Sequence, residues 1–104
     1  MIPLFPLPTD RILLLDGAMG TSLKRMNLPP EAWAGYPSCS EILNLSRPDA
    51  VFRVHQEYIE AGSRLIETNS FGGAAHILAE HGLEERTEEI NQEAALIARR
   101  AVRD

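Results

Sequence analysis

A chain of 104 residues, 44% of them hydrophobic and 24% charged, has room for one globular domain and too little for two. Its formal net charge of −5, with no Lys/Arg cluster to offset it, argues against nucleic acid or an anionic membrane as a partner. The lone cysteine, Cys39, excludes an internal disulfide and fits a reducing compartment, so the cytoplasm is the expected location.

The N-terminus is apolar but broken by Pro3, Pro6 and Pro8, which predicts an extended arm over residues 1–10 rather than a secretory leader. The domain proper then runs over 11–104. Arg11 to Leu15 is the first predicted strand, and it stops at Asp16-Gly17-Ala18-Met19-Gly20-Thr21. A short helix follows Gly20 with Leu23 and Met26 on one face, and Asn27-Leu28-Pro29-Pro30 ends it. From Glu31 to Leu45 the breakers Gly35, Pro37 and Ser38 predict a long loop. Trp33 and Tyr36 would pin that loop by burying their rings, with ligand stacking as the alternative.

Ser46-Arg47-Pro48-Asp49 has the form of a capping box, with Ser46 as N-cap and Pro48 in the first turn. Val51, Val54, Tyr58 and Ile59 continue at helical spacing, and Gly62 supplies a left-handed C-terminal residue. His55 lies beside that stripe and reads as a hydrogen-bonded helix histidine rather than a ligand. Arg64 to Thr68 is the second predicted strand, followed by a helix over Ala74 to His81 that Gly82 closes. Thr87 is placed to cap a final helix whose Ile90, Ala94, Ile97 and Ala101 form one core-facing stripe.

Two apolar segments that each run into a polar, glycine-containing loop, with a helix between them, describe the start of a parallel α/β fold. In such folds the chemistry sits at the carboxyl ends of the strands. Two parallel strands cannot bury both of their faces. The expectation is therefore the opening βα units of a larger α/β domain.

Asp16 ends the first apolar run and needs a partner if it is desolvated. One reading is a carboxylate that accepts the ammonium group of a small substrate, with the backbone amides of Gly17 to Thr21 receiving an anion. The other is that Asp16 caps its turn. Thr68, Asn69 and Ser70 would face the same side, while Glu67 is the weaker candidate because alternation turns it away. The glycines match neither a dinucleotide nor a P-loop pattern. His55, His76 and His81 do not form a metal constellation by spacing, and no nucleophile–base pair is recognisable.

Taken together, Leu14-Leu15-Asp16-Gly17-Ala18-Met19-Gly20-Thr21, Leu45-Ser46-Arg47-Pro48-Asp49 with Val54-His55, and Ile66-Glu67-Thr68-Asn69-Ser70-Phe71-Gly72 resemble the homocysteine S-methyltransferase family. The resemblance implies a (β/α)8 TIM barrel of about three hundred residues, of which this chain would be about the first third. It implies homocysteine as substrate, Asp16 to Thr21 with Thr68 and Asn69 as substrate-facing residues, and the rest of the barrel as partner. It also implies a zinc ion on three cysteine thiolates beyond Asp104, which activates the homocysteine thiol. In the branch of the family nearest to these motifs, the methyl group comes from methylcobalamin, reloaded from methyltetrahydrofolate on a separate module.

Overall fold

Helix-forming stripes that can reach one another decide the architecture. The computed structural model describes residues 7–103, and among them five α-helices are linked by short 3-10 turns. These are α1 (Gly20–Arg25), α2 (Leu43–Ser46), α3 (Pro48–Glu60), α4 (Ala75–Leu78) and α5 (Thr87–Arg103). Val51 and Val54 of α3, Leu43 of α2, and Ile90, Ala94, Ile97 and Ala101 of α5 are all buried, so the stripes of the longest helices close on each other. Each fully buried Leu, Ile or Val contributes about 1.5–3 kcal/mol. Leu23 of α1 and Leu78 of α4 extend the same core.

The helix ends follow from local sequence. Pro48 opens α3, where its missing N–H costs nothing. Gly62 takes φ +113° after it, and the Ser63 amide reaches back to the Tyr58 carbonyl at 3.0 Å. Gly82 takes φ +69°, and the Leu83 amide donates to the Leu78 carbonyl at 3.0 Å while the Leu83 side chain is buried.

The expected α/β class, the first βα units of a TIM barrel, is not what forms. The described residues contain no strand or sheet. The predicted strands Arg11–Leu15 and Arg64–Thr68 meet at one parallel bridge, Leu15 to Leu65. Ile12 is 89% exposed, and Leu14 and Leu15 are each 55% exposed. A parallel strand is stabilised by neighbours on both edges and helices on both faces. Here each segment has one neighbour, and the helical stripes that would cover it are occupied by each other.

Smaller expectations also change. The segment Glu31–Leu45 is not a plain loop: it holds 3-10 turns at Pro30–Trp33 and Ser40–Ile42 and the start of α2. Ser46 does not cap α3. Its hydroxyl donates to the Ala32 and Ile42 carbonyls, Arg47 takes the cap position, and Asp49 pairs with Arg47 at 2.8 Å. The Thr87 hydroxyl donates backward to the Glu84 carbonyl at 2.7 Å. Trp33 is buried, and Tyr36 meets the His81 ring edge-on at 5.5 Å. Residues 1–6 of the expected arm, and Asp104, lie outside the described residues.

Candidate functional site

The single bridge is short, but it fixes Asp16. The Asp16 amide donates to the Leu65 carbonyl at 3.0 Å, and the Glu67 amide donates to Asp16 Oδ2 at 3.1 Å. The other carboxylate oxygen, Oδ1, is buried and meets no donor. Two residues on, the chain passes close over α3: the Tyr58 hydroxyl donates to the Ala18 carbonyl at 2.8 Å. A Cβ at Gly17 would stand only 3.1 Å from the Tyr58 hydroxyl, so a glycine lets the turn approach.

Asp16 opens onto a cavity of about 630 Å³. Its walls are Asp16 to Thr21, Glu67 to Gly72, and the Ser38, Ser40 and Glu41 side of the 3-10 turn before α2, with Ile77, Glu80 and His81 at the margin. The residues that the resemblance marks as substrate-facing all lie on it: Asp16, Gly17, Ala18, Met19, Gly20, Thr21, Thr68 and Asn69, whereas Trp33 and Tyr36 do not. Four carboxylates, those of Asp16, Glu41, Glu67 and Glu80, line this space without a Lys or Arg. That charge distribution attracts a cationic group. Met19 makes no side-chain cap to α1, and no acidic residue sits in that helix's first turn, so its leading amides are left for other acceptors.

The second wall is tied to the helices by polar contacts. Asn69 is only 4% exposed. Its amide nitrogen donates to the Ser40 carbonyl at 3.0 Å and to Asn44 Oδ1 at 2.9 Å. Asn44 in turn donates to the carbonyls of Asn69 (2.9 Å) and Ile90 (3.2 Å). The Asn69 side-chain amide therefore holds the loop. The Thr68 and Ser70 hydroxyls bond to each other at 2.5 Å. Glu67 faces the cavity after all, because the pairing stops at Leu65 and strand alternation does not continue.

Glu41 is the residue that sequence reasoning missed. It is buried, and its Oε2 accepts the Gly72 amide at 3.1 Å, pulling the second wall toward the turn before α2. Its signal was its position between Cys39 and Ile42-Leu43, all buried apolar residues, where a carboxylate must find a donor.

A zinc site of the implied kind does not fit these residues. Cys39 is buried, and burial pushes its thiol up from its ordinary value, which disfavours the thiolate a metal needs. Among the described residues no three His, Cys, Asp or Glu side chains gather as ligands.

The sequence profile of the homocysteine S-methyltransferases matches residues 13–104. The chain belongs to the homocysteine S-methyltransferase family. The methionine synthase of Mycobacterium tuberculosis (strain ATCC 25618 / H37Rv) is 38% identical over 92 residues, covering 88% of this chain and 8% of that protein. The methionine synthase of Mycobacterium leprae (strain TN) is 39% identical over 91 residues, again 88% and 8%. This homocysteine S-methyltransferase family chain thus spans about 8% of the length of those relatives. The profile match takes in both long walls of the cavity, Asp16–Thr21 and Glu67–Gly72. Among the described residues, no helix is long and apolar enough to cross a membrane.

Proposed function

We propose that this chain supplies the amino-acid-binding part of an enzyme that transfers a methyl group to the thiol of homocysteine. The observation that carries this reading is Asp16, anchored by the Glu67 amide on the wall of an acidic cavity. Asp16 accepts the ammonium group of homocysteine, and the leading amides of α1 at Gly20 and Thr21 receive its carboxylate. Ala18, Met19 and Thr68 border the bound molecule, and Asn69 keeps that wall in place. The chain's own residues bind and orient the substrate. Zinc, cobalamin and methyltetrahydrofolate chemistry belongs, in this reading, to residues and modules outside the chain, the rest of the enzyme being its partner. A cytoplasmic location suits the single cysteine.

A second reading is a small amino-acid-binding module that keeps the Asp16 pocket without a metal centre. Calorimetric titration tests what both readings share. L-homocysteine should bind the 104-residue chain, and Asp16→Asn should weaken it about 10- to 100-fold, the loss expected for a charge-assisted hydrogen bond. N-acetyl-L-homocysteine, which lacks the ammonium group, should bind no better to the wild type than to Asp16→Asn. Equal affinity for the acetylated and free amino acids would overturn the assignment of Asp16.

A further inference from the structure

Beneath the Asp16 turn lies a polar group to which the amino-acid reading gives no role. His55 of α3 is fully buried, and neither Nδ1 nor Nε2 meets a hydrogen-bond partner, against the expectation of a hydrogen-bonded helix histidine. An imidazole always carries at least one N–H, and buried donors in native proteins are almost always paired. Among the described residues, the buried side-chain polar atoms without a partner are those two nitrogens and Asp16 Oδ1. The unmet donor and the unmet acceptor lie within electrostatic reach of each other, since the Asp16 charge acts on the His55 ring. Tyr58, three residues after His55 and so on the same face of α3, holds the Ala18 carbonyl at 2.8 Å and packs under Gly17. That face covers the turn that Asp16 begins.

The charges around the ring agree. Burial lowers the His55 pKa from its ordinary value, and the Asp16 carboxylate opposes that shift. The charged neighbours on the helix itself, Arg53 and Glu57, are exposed and paired with each other at 3.2 Å.

We propose that His55 is a positioning residue for Asp16: its imidazole N–H is the inner donor to Oδ1, closing onto the carboxylate when a cationic ligand engages the outer side. The inference rests on the reading of Asp16 as an ammonium acceptor. A carboxylate held by the Glu67 amide on one oxygen and His55 on the other loses its freedom to rotate. Its remaining lone pairs then point one way, as partners behind a ligating group arrange in other sites. Such contacts are often long without ligand and tighten with it. A neutral ring suits the task, because it donates without cancelling the charge that attracts the ammonium group.

The test follows the His55 ring nitrogens by NMR in the 104-residue chain and in Asp16→Asn, beside homocysteine affinities of the wild type, His55→Leu, His55→Asn and His55→Gln. Asp16→Asn should move the His55 titration further down, since the opposing charge is gone. His55→Leu should lose about tenfold in affinity, and His55→Asn or His55→Gln, which keep a side-chain N–H, should recover most of it. Should His55→Leu fail to fold, the response to Asp16→Asn decides. A titration that ignores Asp16→Asn, or a folded His55→Leu that binds as the wild type does, overturns the proposal. If the wild type binds no amino acid while His55 still responds to Asp16→Asn, the amino-acid reading fails and the pairing of the two residues stands.

Discussion

The packed pair α3 and α5 and the loops around the cavity differ in what holds them. Between the helices, Val51, Val54, Ile90 and Ile97 are essentially inaccessible, and apolar burial does the stabilising. Around the cavity, the chain is fixed by a few polar contacts: Asp16 to Glu67, Glu41 to Gly72, Asn69 to Asn44, and Asn91 to the Gly73 carbonyl. Beside them Leu14, Leu15 and Phe71 stay exposed. Apolar packing tolerates small shifts and gives stability, whereas polar contacts fix geometry and fail together when one member goes. A binding site assembled the second way is oriented well and stabilised little.

Four experiments press on that difference. Ile97→Ala removes a fully buried side chain from the helix interface and should cost about 2–5 kcal/mol in denaturant unfolding; a loss under 1 kcal/mol would place the core elsewhere. Asn44→Ala leaves the buried Asn69 carbonyl without a donor, takes an acceptor from the Asn69 side-chain amide, and should cost about 1–3 kcal/mol. Its distinctive effect should be faster amide exchange over 68–73 than in α5, and uniform loosening would erase the contrast between the regions.

Acid should act more gently. The His55 pKa lies below its unfolded value of about 6.5. As pH falls through that window the unfolded chain binds more protons, so stability present above the window is lost. The melting temperature should drop on acidification from neutral pH, and His55→Leu should flatten that slope. A slope unchanged in His55→Leu would mean that other groups set it. Least of all, Ile12→Ser alters an exposed side chain and should stay within about 0.5 kcal/mol by denaturant unfolding. A loss of several kcal/mol would show that the extended segment carries the fold.

The helices were legible because their signals are local. The α5 stripe and the glycine ends of α3 and the α4 segment need only neighbouring residues, and they form where the sequence puts them. The strands were not, since a strand depends on neighbours that its own sequence does not name. Ile12 to Leu15 has an apolar strand pattern and lies largely in solvent after a single bridge. The caps failed for a related reason: Ser46 found acceptors at Ala32 and Ile42, which no four-residue pattern encodes. Asp16 and its turn were visible as a carboxylate ending an apolar run. Glu41 was hidden inside a segment whose turns become apparent only once Ile42 and Leu43 are buried.

The measurement that bears most directly on this account is amide chemical-shift mapping of L-homocysteine on the isotope-labelled chain. Saturable shifts should concentrate at Asp16–Thr21 and Glu67–Gly72, with α5 unmoved beyond Ile90. Shifts spread over α5, or none at millimolar ligand, would contradict it.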